Sequence, residues 1–176
     1  MNITHRLEYT LDDPERSALL ALLSGCFPGF FSDRAYFKQL PHARLLGHVD
    51  GELVAQVGMD HRVVRVGDAP ARVLGVVDLC VAESARGHGH GASLMREVES
   101  LASSGAVDFV ILFADDHRLY DALGYTLVNR RCRWLAIDEH CSLDVFERQL
   151  DGCLMVKPTG LTSWPAGDVD LMGYLF

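Results

Sequence analysis

The chain of 176 residues has no apolar run approaching the ~20 residues that cross a bilayer, and its opening MNITHRLEYT lacks the basic-then-apolar pattern of a secretory leader. A cytoplasmic location with no membrane contact is therefore expected. The five cysteines (Cys26, Cys80, Cys132, Cys141 and Cys153) are odd in number and include no C-x-x-C pair, which fits reduced thiols rather than a disulfide framework or a zinc site. No metal is expected. A basic stripe is missing as well: net charge is −8, and Arg130, Arg131 and Arg133 form only a local cluster, read as one solvated strand face. That excludes a nucleic-acid partner. An acidic surface instead suits a cationic acceptor such as an amine, although it serves ordinary solubility equally. Repeats and low-complexity tracts are absent too. What remains, 49% hydrophobic and 23% charged residues, is the composition of an ordinary globular protein. The length suits one domain over 1–176, burying roughly 70% of its unfolded surface.

The most informative segment runs from Leu79 to Ala92. An apolar strand (Val76 to Val81) gives way to a polar turn and a glycine-spaced loop. The amphipathic run Ser93 to Ala102 follows, with Leu94, Val98, Leu101 and Ala102 at helical spacing. Glycines at 87, 89 and 91 free the backbone to turn its N–H groups inward. The helix start adds unpaired N–H groups and a positive dipole end, and Arg86 adds a charge at the rim. Such a strand, loop and helix N-terminus suits a phosphate or pyrophosphate. A glycine-rich turn with no ligand is the plain alternative. A P-loop is excluded, because Gly91-Ala92-Ser93 lacks the lysine. Gly87, Gly89 and Ala92 meet the dinucleotide fingerprint in form, with Asp115 after the next strand. However, Ala82 to Arg86 intervene between strand and glycine, and too little chain follows for a doubly wound sheet.

Downstream, VDFVILFA (Val107 to Ala114) reads as a buried strand, followed by Tyr120-x-x-x-Gly124-Tyr125: a short helix, a glycine stop and an aromatic strand start. Taken with Arg-x-x-Gly-x-Gly at Arg86 to Gly91, this order resembles the GNAT acetyltransferase superfamily over roughly residues 72 to 128. The resemblance implies an α/β (α+β) fold: a mixed bent sheet of about seven strands with splayed central strands, and about four helices on both faces. It implies acetyl-CoA as cofactor, its thioester arm between the strands at 76–82 and 107–114, held by Leu79, Cys80, Val81, Arg86, Gly87, His88, Gly89, His90, Gly91 and Ala92. The implied reaction is acetyl transfer to a primary amine. Tyr120 matches the family tyrosine that protonates the departing thiolate; its alternative is ring packing at the helix start. An N–H near Cys80 or Val81 would meet the thioester oxygen.

The base is less well marked. Asp78 is the sole carboxylate within Val73 to Ala82, costly to bury without a purpose. The commonest family position falls one residue earlier, at Val77, and one residue reverses a strand's face. Asp78 is therefore either base or structural carboxylate, with Asp115, Asp116 and His117 as alternatives. The ending Ser163-Trp164-Pro165-Ala166-Gly167-Asp168-Val169-Asp170 resembles those of aminoglycoside 2′-N-acetyltransferases and nodulation-factor N-acyltransferases, as does Gly51 to Arg65. That implies Trp164, Asp168 and Asp170 around an amino-sugar acceptor, unless the tail merely closes the sheet. Expected partners are thus a small-molecule amine and, as one option, a second copy in a homodimer. A protein or polyamine amine, or an idle acyl-CoA-binding sensor, are the other readings.

Elsewhere, Arg6 to Leu11 reads as a strand, Pro14 opens a helix, and Asp33 to Leu40 reads as a second one. Asp50-Gly51 joins Arg44–Val49 to Leu53–Val66, and Gly67 to Pro70 leads into 72–82. From Cys153 a last strand and a polar loop are expected.

Overall fold

A computed structural model describes residues 1–31 and 33–176. In chain order the elements are β1 (Asn2–Leu7), α1 (Asp13–Cys26), β2 (Ala43–Val49), β3 (Glu52–Val66), β4 (Ala69–Val81), α2 (His90–Ser104) and β5 (Phe109–Phe113), then α3 (Arg118–Ala122), β6 (Thr126–Leu127), β7 (Arg130–Asp138), β8 (Cys141–Leu150), β9 (Leu154–Pro158) and β10 (Val169–Tyr174). They fall into two compact units, residues 1–59 with 77–98 and residues 60–76 with 99–176; β3, β4 and α2 contribute to both.

In the first unit the strands run β1-β2-β3-β4, with β1 and β2 each antiparallel to the next. The β2–β3 turn is the two-residue Asp50-Gly51 with both φ positive (51° and 86°), the conformation that matches strand twist in a tight hairpin. Helix α1 starts with a complete capping box: the Asp12 side chain accepts from the Glu15 N–H at 2.9 Å, and the Glu15 carboxylate accepts from the Asp12 N–H at 3.0 Å. Its buried face (Leu19, Leu22, Leu23) packs with Leu11, Phe31, Leu46 and Cys80, each large side chain contributing about 1.5–3 kcal/mol.

This core also contains a buried charge. Arg44, with no exposed surface, gives its Nε to Glu8 at 2.6 Å, one Nη to Gln56 Oε1 at 3.0 Å and the other to the Ala35 carbonyl at 2.7 Å. Arg44→Met would leave the buried Glu8 carboxylate with only the partly exposed Arg16 guanidinium, 4.0 Å away. We expect a loss of about 3–5 kcal/mol, read from urea unfolding; a loss under ~1 kcal/mol would show the network to be dispensable.

In the second unit the order is β6-β9-β5-β4-β3-β10-β7-β8. β4 lies parallel to β5, pairing Val73 with Phe109, Leu74 with Val110 and Gly75 with Ile111. β10 is parallel to β7, while β10–β3, β5–β9, β6–β9 and β7–β8 are antiparallel. One face buries Val64, Val73, Phe109, Ile111, Val156 and Leu171 among others.

Several sequence expectations change. The mixed α/β bent sheet is as expected, and only the counts differ: among the described residues there are ten strands where about seven were expected and three α-helices where about four were. The first strand ends at Leu7, and Glu8–Thr10 is a 3-10 turn that delivers Glu8 to Arg44. Residues 33–40 form bends instead of a helix: the Ala35 carbonyl is committed to Arg44, and so short a helix is marginal alone. The tail forms two strands, β9 and β10, where one was expected. The β10 strand wedges between β3 and β7, a non-local placement that leaves no local pattern.

Candidate functional site

In the first unit, the strand-to-helix segment starts at Ala82, whose N–H bonds the Val54 carbonyl at 2.8 Å. Glu83–Ala85 makes one 3-10 turn, and the chain then passes through Gly87 (φ 80°) and Gly89 (φ 76°) into α2. A Cβ on either glycine would meet nothing within 4 Å. The open space beside them is room for a ligand against bare backbone, and the left-handed φ is what selects glycine. Gly91 differs from expectation: it lies inside the first turn of α2, not in the loop. It puts no side chain on the first turn, whose N–H groups lack intrahelical partners. No acidic residue sits in that turn to repel an anion. Arg86 is exposed, its Nε bonded to the Val81 carbonyl at 3.2 Å. His88 turns Nδ1 to the Arg86 carbonyl at 2.9 Å and stacks on His90 at 5.8 Å. Among the described residues no group of three or more potential metal ligands occurs. Glycines, helix start and arginine together fit a pyrophosphate.

On β4, just before this loop, Asp78 is half-buried with φ 51°, a left-handed residue within a strand. Strict alternation fails there, so counting by twos from Val77 does not assign its face: Val77, Asp78 and Leu79 are all half-buried in succession. Its carbonyl accepts a hydrogen bond from Gln56 Nε2. Cys80 is buried, and burial, with Cys26 beside it, pushes its thiol far up. It is an inert core thiol rather than a nucleophile. The Val81 carbonyl also takes the Cys26 thiol at 3.5 Å.

In the second unit, Tyr120 occupies α3. The motif Tyr120-x-x-x-Gly124-Tyr125 is a helix stop: the Tyr125 N–H reaches the Tyr120 carbonyl at 3.0 Å, the Gly124 N–H reaches that of Asp121 at 3.0 Å, and Gly124 has φ 83°. The rings of Tyr120 and Tyr125 meet edge to face at 5.8 Å. Burial, reinforced by the Asp116 charge, pushes the Tyr120 phenol up to about 12. It is a protonated donor at neutral pH.

Of the alternative bases, Asp116 is clamped by Arg118 (2.9 and 2.5 Å), which holds it down at about 2. A carboxylate that reluctant to take a proton is a poor base. His117 points Nε2 at the carbonyls of Ala114 (3.1 Å) and Gly152 (2.8 Å), so this nitrogen carries the hydrogen and donates. Asp115 is exposed.

Of the tail residues, Trp164 packs edge-on against Phe109 at 4.9 Å, with its Nε1 buried. Asp170 is tied to Arg133 at 3.0 Å, with Arg65 at 3.9 Å. Asp168 is exposed and makes no ion pair among the described residues, while its carbonyl accepts from the Gly67 N–H at 2.8 Å. Asp168 and Asp170 share a groove of about 480 Å³ with Arg65, Arg131, Arg133 and Glu147. Asp170 is thus largely neutralised, whereas Asp168 has no arginine paired with it among the described residues. Sequence reading passed over two buried polar groups: the Glu8–Arg44–Gln56 network and Asp60, which accepts from the Tyr174 hydroxyl at 2.6 Å. The available signal was a polar residue amid apolar strand neighbours, as at Gln56 in LVAQVGM.

Comparison with known proteins gives a match to the family described as "Acetyltransferase (GNAT) domain" over residues 10–128. No curated protein matches the chain. Among solved structures, Escherichia coli YhbS, a GNAT family N-acetyltransferase in complex with CoA, superposes with TM-score 0.63 at 20% identity, over 97% of this chain and 90% of that one. A Brucella melitensis GNAT family acetyltransferase in complex with acetyl-CoA gives 0.61 at 15%, over 96% and 94%. Mycobacterium abscessus Eis1 gives 0.61 at 15%; the match covers 74% of this chain but only 33% of Eis1.

Proposed function

The chain belongs to the GNAT acetyltransferase family, and from that premise we propose that it transfers an acetyl group from acetyl-CoA to the primary amine of a small cationic acceptor, an amino sugar being the first choice. The observation that carries this reading is the pair Gly87 and Gly89, left-handed and open on their outer side, at the start of a helix with no acid in its first turn. The structural relatives with CoA or acetyl-CoA bound support the same cofactor.

In this reading the backbone and side chains from Arg86 to Ala92 hold the pyrophosphate, and the Leu79–Val81 backbone lines the pantetheine arm. Acetyl-CoA supplies an activated acyl group. Tyr120, protonated at neutral pH, gives its proton to the departing thiolate. Proton removal from the attacking amine falls to Asp78 or to solvent reached past it. Trp164 and Asp168 orient a cationic acceptor, with Asp170 shaping that surface through its arginine pairs. A cytoplasmic location and reduced cysteines suit such an enzyme.

The acceptor is tested by incubating acetyl-CoA and the protein with a mixture of aminoglycosides, glucosamine derivatives, polyamines and lysine peptides, then finding by mass spectrometry which species gains an acetyl group. Acetylated amino sugars support the reading. Acetylated peptides or polyamines alone would move the acceptor to the other amine classes. CoA binding with no acetylated amine would leave an acyl-CoA sensor.

A further inference from the structure

We infer that Gln56, held by the buried Arg44–Glu8 pair, is a positioning residue that sets the orientation of the Asp78–Leu79 peptide and so aims the Leu79 N–H at the thioester oxygen; the inference rests on the acetyltransferase reading. All of these residues belong to the first unit.

Asp78 adopts φ 51° inside β4, a conformation unfavourable for an L-residue that persists only where its surroundings over-determine it. Here the determinant is visible: the Asp78 carbonyl accepts from Gln56 Nε2. The direction of that amide follows from its other partner. Arg44 has donors and no acceptor, so the Gln56 atom 3.0 Å from Arg44 Nη1 must be the oxygen. The NH₂ group is thereby turned toward Asp78. Arg44 cannot yield, since Glu8 at 2.6 Å and the Ala35 carbonyl at 2.7 Å hold its other nitrogens, and none of its surface is exposed.

A trans peptide is planar, with C=O and N–H pointing opposite ways. Fixing the Asp78 carbonyl on Gln56 therefore fixes the Leu79 N–H away from Gln56. That donor lies in the segment expected to line the thioester arm, one residue before Cys80 and two before Val81, whose N–H groups were expected from sequence. A preorganised donor accelerates only if held before the charge develops. The chain from Glu8 through Arg44 to Gln56 is what holds it.

The test uses Gln56→Met, which keeps the volume and loses the amide, and Gln56→Glu, which keeps an acceptor for Arg44 but, as a carboxylate, has no donor for the Asp78 carbonyl. Two readouts are taken: steady-state kinetics with the best amine, and the infrared carbonyl stretch of ¹³C-labelled acetyl-CoA bound to the protein, which needs no turnover. The expected result is a fall in kcat of roughly 10²-fold, with KM for acetyl-CoA within about threefold, and a carbonyl stretch shifted down in the parent that returns toward the free value in both variants. A folded variant that keeps the parent's shift and kcat within twofold overturns the inference. A parent that binds acetyl-CoA with the downshift but acetylates no amine sinks the acceptor reading and leaves the Gln56 assignment standing on its spectrum. A parent that does not bind acetyl-CoA sinks both.

Discussion

Gly89→Val is expected to abolish acetyl-CoA binding while leaving the fold intact. Gly89 sits at φ 76° with nothing within 4 Å of a built Cβ. The Cβ of a valine would meet no protein atom within 4 Å, so the fold is expected to lose little beyond the roughly 1–2 kcal/mol of a left-handed L-residue. The same side chain would fill the space beside the bare backbone, where a phosphate oxygen must come within hydrogen-bond distance of N–H groups at the start of α2. Calorimetric titration with acetyl-CoA should show affinity reduced by more than ~10²-fold, the effect of losing several charge-assisted hydrogen bonds at about 1.5–3 kcal/mol each. Gly160→Ala, also in open space but without a left-handed φ, should bind as the parent does. Equal affinity in Gly89→Val and parent would remove the loop from the binding site.

Tyr120→Phe should lower kcat by about 10²-fold, with acetyl-CoA affinity within twofold and melting temperature little altered. The substitution keeps the ring that packs edge-on against Tyr125 at 5.8 Å and leaves untouched the backbone bonds that stop α3 at Gly124. It removes only the phenolic hydroxyl. With that phenol pushed up to about 12 by burial and by Asp116, the parent's rate profile should carry no basic limb from Tyr120 below about pH 11. A variant within twofold of the parent's turnover would leave Tyr120 the packing role that its ring contact already supplies.

The local signals in the sequence were strong where the chemistry is local. Gly87, Gly89, the helix after them and the Tyr120–Gly124–Tyr125 stop each depend on neighbours within a few residues, and each stands where those neighbours place it. The same holds for the Asp50-Gly51 turn and for Pro14 at the start of α1. Gly91 was misplaced by only one helical turn, because a glycine at a helix start and one in a loop look alike in sequence.

What escaped depends on distant partners. The 33–40 segment carried helical residues, but the Ala35 carbonyl is required by Arg44 nine positions later. The face of Asp78 could not be counted, because one left-handed residue resets the alternation and nothing in VVDLC announces it. The sequence put Asp170 around the acceptor, but its pairing with Arg133 and Arg65, which come from other strands, left no local signal. Gln56 looked like one polar residue in an apolar strand, and its meaning lies in Glu8 and Arg44, 48 and 12 positions away.

The central claim, acetyl transfer from acetyl-CoA to an amine at this site, is tested most directly by free-thiol release from acetyl-CoA with and without the amine panel, in the parent and in Tyr120→Phe. Amine-dependent release well above solvent hydrolysis is expected in the parent, and roughly 10²-fold less in the variant. Release in the parent that does not depend on any amine, or none at all under conditions where calorimetry shows acetyl-CoA bound, would contradict it.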